Sequence, residues 1–450
     1  MRKVLAFKLV IGLGIFCSCS KPPALLPLPQ APAVGYWFDH FRARRAQLSD
    51  PELIAGSARV KLTPTNPWVR IAGHGHFRKH SKGVLDDIYA RVLYLDSGRE
   101  AVVLCSVDFI GLMLPRVERI RSLVTRKYPG VIIIAATHNH AGPDTEGLWG
   151  PALFGLLPVR SGIDKQYMAR VERRVSRAIL RAVATARPAR LLLGRFEAPE
   201  GLAVNMREPD DVPRQVTILR AADENGLSIG TVINYANHAE ALQDKNRWLS
   251  ADWPGVLCRE VDLALGGVSL FFSGPAGGML EPANHPDDPE AQRLAFREHL
   301  GATLARGVIL QAIGGMKEIR HPQIRRYRHR FELPIQAEGL VSLAMSLRLL
   351  EPRLVENERL QTEVDLIDLN QLQIISIPGE ITPEVGRAIA RQLDAEYRMI
   401  VTLGNDHLAY MISERQWQDP RFGYEREMSL GPETTSLMLQ AVKKLTSLAR

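Results

Sequence analysis

Apolar residues follow two rhythms along this chain. Short β-branched and aliphatic runs recur at Arg59–Leu62, Tyr89–Leu95, Ala101–Val107, Val131–Ala135, Arg190–Arg195, Val216–Leu219, Ile229–Asn234, Val268–Phe272, Leu372–Ile377 and Met399–Leu403. Each predicts a strand, being too short for a helix. Between many of them apolar residues fall at helical spacing, over Lys165–Ala186, Pro289–Ile313, Pro383–Glu396 and Glu433–Leu448. Strands taking turns with helices predict an α/β domain, with α+β as the alternative: a mixed β-sheet core covered by helices. No Gly/Pro/Ser-rich linker divides residues 35–450, which predicts a single large domain. Arg325–Asp368 has fewer chemical motifs and reads as a β insertion or sub-region. No internal repeat, heptad run or low-complexity tract is visible.

The N-terminus departs from both rhythms. Arg2 and Lys3 precede the apolar stretch Val4–Phe16, which is too short to span a bilayer and has the form of an export signal. Phe16-Cys17-Ser18-Cys19 then resembles a bacterial lipobox, with Cys19 as the lipidated first residue. Residues 21–34 are rich in Pro and Ala and read as a tether. The expected order is a lipoprotein signal peptide over 1–18, a tether over 19–34 and the folded domain over 35–450. No Asp follows Cys19, so the expected location is the outer membrane, on its periplasmic or cell-surface face. The formal net charge of +8 overstates the basicity, because Arg2, Lys3 and Lys8 belong to the signal. The one dense basic cluster, Arg325–Arg330, alternates like a strand and has no recognition motif beside it, so nucleic acid is not an expected partner. Cys105 and Cys258 make no disulfide framework and read as core thiols.

In open α/β sheets, sites gather where strands end. Four strand ends here carry ligand-type residues. Val131–Ala136 runs into Thr137-His138-Asn139-His140 and a Gly-Pro turn. Residues i and i+2 of an extended segment face one way, so both imidazoles can share a site. Thr231–Tyr235 leads to Asn237-His238, followed by the polar turn Ser250-Ala251-Asp252 that opens a helix. Leu372–Ile377 ends in Pro378-Gly379-Glu380, where Glu380 is either a carboxylate ligand or a charge at a helix start. Val401–Leu403 ends in Gly404-Asn405-Asp406-His407, with Tyr410 beyond. Two His and one carboxylate make a common catalytic zinc set with a position left for water. A nearby Tyr adds a fourth ligand or an oxyanion donor. His74-Gly75-His76 copies the His-x-His spacing, but its flanking glycines read as a flexible loop.

Taken in order, these segments resemble the neutral/alkaline, non-lysosomal ceramidase family. Thr137-His-Asn-His-Ala-Gly-Pro is similar to that family's Thr-His-Thr-His-Ser-Gly-Pro. Asn234-Tyr-Ala-Asn-His238 is similar to its second-His strand, Pro378-Gly-Glu380-Ile-Thr to its Pro-Gly-Glu-Phe-Thr, and Asn405–Tyr410 with Tyr424-Glu425 to its tyrosine block. The resemblance covers most of residues 35–450 and implies one Zn2+ per chain, held by His138, His238, Glu380 and Tyr410. It implies that His140 is a hydrogen-bond donor in the active site rather than a ligand. Arg207, in Asn205-Met-Arg207-Glu-Pro209, would contact substrate or oxyanion, or else form a surface salt bridge, and Tyr424 would line the pocket.

Two departures from the family pattern matter. Leu280 or Glu281 stands where the family has a Ser with a catalytic role, and the sequence ends soon after Tyr424 where ceramidases continue into a β-sandwich. Glu281 is then a general base or a turn cap. The expected chemistry is direct attack by metal-activated water on an amide, N-acyl and possibly sphingolipid-like, or on an ester. Tyr410, His140 and Arg207 would stabilise the oxyanion. The competing expectations are a lipid- or glycan-binding surface lipoprotein on the same fold, and a binuclear amidohydrolase, which also uses His-x-His at a strand end.

Overall fold

Most strands of this chain are apolar along both faces, and the layering explains why. The computed structural model describes residues 53–74, 80–125, 130–153, 157–336, 344, 347, 349–351, 353 and 355–450. Cys19 and the expected signal and tether lie outside them. One pattern of pairing occurs three times. β1 (Ile54–Lys61), β2 (Tyr89–Asp96) and β3 (Ala101–Val107) pair antiparallel in sequence order, and β4 (Val131–Ala136) joins β3 in parallel. The crossover that a parallel pair requires is α1 (Leu114–Val124), and α2 (Lys165–Ala184) follows the sheet.

β5 (Arg190–Glu197), β6 (Gln215–Ala222), β7 (Ser228–Tyr235), α3 (Asp252–Leu265), β8 (Val268–Ser273) and α4 (Glu290–Gly314) repeat that order, with β7 and β8 the parallel pair. So do β9 (Arg325–Pro334), β10 (Arg359–Leu369), β11 (Leu372–Ser376), α5 (Pro383–Ala390), β12 (Tyr397–Val401) and α6 (Thr434–Ala449), with β11 and β12 parallel. A short fifth strand completes each sheet: Arg187–Pro188 on β1, Lys317–Ile319 on β5 and Val355–Glu356 on β10. The repeat that the sequence conceals is one of topology. Arg325–Asp368 is no insertion, because it supplies the first two strands of the third sheet.

Each sheet buries one face under its own two helices. Ile132, Ile134, Val175 and Ile179 belong to the first such layer, Ile218, Phe271, Leu257 and Leu304 to the second, and Val364, Ile375, Val385 and Val442 to the third. The opposite faces of all three sheets meet in a common centre, where Leu104, Ile133, Leu219, Leu270, Ile374 and Met399 share one cluster. Strands buried on both faces read as continuous apolar runs rather than alternation. Truncating a central side chain, for example by Leu270→Ala, costs about 2–5 kcal/mol.

The basic cluster of β9 is neutralised across the sheet. Arg325 pairs with Asp368 (3.2 Å), Arg328 with Asp365 (2.8 Å), Arg330 with Glu363 (3.3 Å), and Arg326 with Glu100. Cys105 and Cys258 are buried free thiols. Among the described residues there is no eightfold barrel of the amidohydrolase kind, and no helix is long and apolar enough to cross a membrane.

The strand ends are pinned to one another by buried asparagines. Asn405 accepts from the Ile134 N–H (2.9 Å) and donates to Asp365 (2.6 Å), which ties the third sheet to the first. Asn234 donates to the carbonyls of Phe272 (3.0 Å) and Ile400 (3.1 Å), which ties the second to the third. Three sets of loops are thereby brought to one place.

Candidate metal centre

Each sheet delivers part of one cluster from a strand end. β4 delivers His138 and His140, the segment after β7 delivers His238 and Glu240, and the segments after β11 and β12 deliver Glu380, His407 and Tyr410. An isolated parallel bridge between Asn139 and Ala239 lays His138-Asn139-His140 beside His238-Ala239-Glu240. The His140 N–H donates to the Ala239 carbonyl at 3.1 Å. The imidazoles of His138 and His238 are 4.7 Å apart between ring centres. A two-residue parallel pair, Glu380 beside Tyr410, brings the carboxylate and the phenol onto one edge.

The donor atoms converge as a ligand set does. Glu380 Oε2 lies 3.2 Å from His138 Nε2 and 3.4 Å from His238 Nε2. Yet this buried oxygen accepts no hydrogen bond, so the two nitrogens face a common point rather than the carboxylate itself. Both rings are held from behind. His138 Nδ1–H donates to the Ile110 carbonyl and His238 Nδ1–H to the Leu280 carbonyl, each at 2.9 Å. A carbonyl oxygen only accepts, so Nδ1 carries the proton and Nε2 presents its bare lone pair to the centre. His138 adopts a left-handed backbone (φ +60°) to make this turn. The donor set and the unsatisfied Glu380 oxygen fit a zinc-type cation.

Charges in the cluster follow from burial and proximity. For Glu380, burial works against ionisation, but His138, His238 and His407 outweigh it and hold the carboxyl well below the usual range. Burial lowers the His138 pKa. It acts the same way on His238, where Glu240 and Glu380 prevail and raise the pKa to about 9. Burial and the Glu380 charge push Tyr410 well up, and Tyr424 to about 12. These directions belong to the protein groups alone.

Several residues were missed by the sequence reading. His407 Nε2 meets Glu380 Oε1 at 3.3 Å, and its Nδ1 contacts Glu146. Burial opposes its charge, but Glu146 and Glu380 raise its pKa to about 10, and its ring bridges the two carboxylates. Gly111 permits this approach, because a Cβ there would lie 2.2 Å from His407 Nδ1 and 1.9 Å from Glu146 Oε1. Glu240 Oε2 lies 3.0 Å from His140 Nδ1 and 3.7 Å from His74 Nε2. The i, i+2 rule that joins His138 to His140 also joins His238 to Glu240, and was the available signal.

A cavity of about 450 Å³ opens onto the cluster. His138, His140, Glu380, His407, Tyr410 and Tyr424 stand on its wall, and Met113, Leu148, Trp149, Leu360, Leu408 and Met428 make much of the rest apolar. Three expected site residues are not on that wall: His238, whose Nε2 lies 3.4 Å from Glu380, Arg207 and Glu281. Arg207 Nε pairs with the fully buried Glu425 at 2.8 Å. Glu281 lies in a three-residue strand, Leu280–Pro282, beside Val204, and so caps no turn. Burial, then the Glu240 charge, raises its pKa to about 7. Ser273 points its hydroxyl at the Gly274 carbonyl (3.4 Å) and is also off the cavity wall. The Leu280 carbonyl, next to Glu281, orients His238.

Comparison with known proteins agrees with this geometry. No protein-family model matches the chain. Neutral ceramidase of Pseudomonas aeruginosa is 26% identical over 264 residues, which are 52% of this chain and 38% of that protein. The crystal structure of neutral ceramidase from Pseudomonas aeruginosa superposes with a TM-score of 0.72 at 16% identity, covering 89% of this chain and 75% of that one. This chain is similar to neutral ceramidase in sequence over about half its length and shares its fold. A ceramidase complexed with C2 shares the fold equally well, with a TM-score of 0.73, 17% identity, and coverage of 89% and 76%. The neutral-ceramidase-like fold thus accounts for nearly all of the described residues, and its repeated sheets frame the cluster.

Proposed function

We propose that this chain is a zinc-dependent hydrolase of the ceramidase type, cleaving the amide bond of an N-acyl lipid. One observation carries the reading: His138 and Glu380 stand on the wall of a largely apolar cavity large enough for part of an acyl chain, and His238 meets both of them there. Similarity to neutral ceramidase supports the choice of an amide over an ester. His138, His238 and Glu380 would hold one zinc ion, with Tyr410 as the fourth group. Bound there, zinc would lower the pKa of a water molecule and polarise the scissile carbonyl.

The chain's own residues do the rest. The Ile110 and Leu280 carbonyls fix the ligand tautomers. His407 holds Glu380 through its other carboxylate oxygen, Oε1. Tyr410, beside the metal position, and His140 would stabilise the developing oxyanion. Tyr424 stands 5.8 Å from Tyr410 between ring centres and borders the entrance. Leu148, Leu360 and Leu408 exclude water from the acyl chain. Arg207 acts at one remove, by holding Glu425 behind Tyr424. The lipobox-like Cys19 would anchor the enzyme to the outer membrane and keep it near lipid substrates.

The test is turnover of N-acyl amide and ester panels by the full chain in detergent, with chelator controls. Amide turnover that is lost on chelation and restored by zinc is expected, and His138→Ala should lose both metal and activity. If His138→Ala retained zinc and full activity, the reading would be wrong. Stoichiometric zinc without turnover would favour the binding lipoprotein.

A further inference from the structure

Beside the first cluster lies a second group of donors that the proposed chemistry leaves partly unused. We propose that His74, His140 and Glu240 form a second cation site of the zinc class, so that the centre takes two metal ions. The inference rests on the hydrolase reading for its first ion and adds a neighbour to it.

The geometry comes from the parallel bridge between Asn139 and Ala239. The bridge sets the two flanking tripeptides side by side and in register. His138 faces His238 in one layer, and two residues further on His140 faces Glu240 in the next. His74 closes the second layer from its own loop. One donor atom from each of His74, His140 and Glu240 lies within 4.8 Å of the other two. Tetrahedral zinc, with bonds of about 2.1 Å, separates its ligand atoms by roughly 3.4 Å. The separations here are 3.0 and 3.7 Å from Glu240 Oε2 to His140 Nδ1 and His74 Nε2, against 3.2 and 3.4 Å in the first cluster.

The alignment also points to a cation. His140 Nδ1 is buried 3.0 Å from a carboxylate oxygen, yet no hydrogen bond joins them, and His140 Nε2 is buried without a hydrogen bond as well. A plain His–Glu pair would turn its N–H into the oxygen. The same misalignment marks Glu380 in the first cluster. The loop is shaped to reach this point. Gly73 has φ +85°, and a Cβ on it would come within 2.6 Å of the His140 ring. His74 takes the left-handed φ of +42°, and Trp149 Nε1–H holds it by donating to its carbonyl at 2.9 Å. Two imidazoles and one carboxylate repeat the composition of the first set.

Ring centres of His138 and His140 are 4.8 Å apart, so the two donor sets adjoin. With Nδ1 engaged, the His140 proton sits on Nε2, which keeps that ring a donor.

Zinc content per chain of the dialysed full-length protein tests the proposal. Wild type should hold two equivalents, and Glu240→Gln and His74→Ala one each, with thermal unfolding confirming that the variants fold. One equivalent in wild type, unchanged by Glu240→Gln, overturns the second site and leaves the single-metal reading standing. No metal in wild type overturns both. Cobalt-substituted wild type gives a check without mutation: at two equivalents the paired ions should show spin coupling by electron paramagnetic resonance. Two magnetically isolated ions would refute their adjacency.

Discussion

Asn405 ties the third sheet to the first, and removing its side chain should loosen the whole centre. Its amide oxygen is the partner of the Ile134 N–H, on the outermost strand of the first sheet, and its nitrogen is a partner of Asp365. Asn405 is fully buried, so water cannot replace either bond. In Asn405→Ala the orphaned N–H costs about 1–3 kcal/mol and the weakened Asp365 contact about 1 kcal/mol. Asn405 sits at φ +65°, which asparagine tolerates and alanine resists by about 1 kcal/mol. The sum is about 3–5 kcal/mol. With an unfolding entropy of about 2.1 cal/mol/K per residue over about 400 residues, that lowers Tm by roughly 4–6 °C. Differential scanning calorimetry reads this directly. Asn405→Gly removes the strain but not the orphan, and should fall between. Asn405→Asp sets a second carboxylate against Asp365 and should be worst near neutral pH, recovering in acid. A Tm of Asn405→Ala within about 1 °C of wild type, or an Asp variant as stable as wild type at pH 7, would refute the reasoning.

Further outcomes follow from other residues. Burial raises the Asp252 pKa to about 6, so between pH 4 and 6 the folded state binds more protons than the unfolded one and this group's contribution falls as pH rises. Asp252→Asn removes that loss, and its Tm relative to wild type should climb from pH 4 to 6 and then level off; a flat difference counts against it. Arg207→Ala strands the buried Glu425 and should cost about 3 kcal/mol, with Arg207→Ala/Glu425→Gln recovering much of it in chemical denaturation. If Arg207→Ala instead spared stability and raised KM alone, a substrate contact would be favoured. Leu360→Trp narrows the cavity, and excluding two methylenes at about 0.8 kcal/mol each should cut kcat/KM for long acyl chains about 15-fold. Two-carbon acyl substrates should be unaffected, and equal loss for both lengths would argue that the chain binds elsewhere.

Strands buried on both faces were plain in the sequence, and the ten predicted runs all lie on strands of the three sheets. What escaped it was structure whose burial is polar. α1 carries Arg116 and Arg121, which are buried yet satisfied by Glu172, Glu351 and Glu363, so its apolar stripe is broken. β9 and β10 hide in the same way behind their ion pairs. The helix expected over Pro383–Glu396 stops at Ala390, where the Gln373 side chain takes up the N–H groups of Asp394 and Ala395 and turns the chain into β12. At the site, His138, His238, Glu380 and Tyr410 were legible because each follows an apolar run. His407 and Glu240 lay in the same segments, but their significance depends on partners in other repeats, Glu146 for His407 and His140 and His74 for Glu240. His74 was discounted as part of a flexible loop, and only its contact with His140 reveals its setting.

The threefold order also sets a sequence of events for a chain that emerges from its N-terminal end. His138 and His140 arrive with the first sheet, and His238 and Glu240 with the second. The set of His138 and His238 is not complete until Glu380 and Tyr410 arrive with the third, because two imidazoles alone leave it short of its carboxylate. Until that sheet docks, the central core also lacks one of its three walls. Metal capture by His138, His238 and Glu380 would therefore report that folding is complete, and a chain lacking the third sheet would lack that centre. Fragments that end between repeats should form sheets yet stay inert, and a missing third repeat supplied separately should restore metal and activity together.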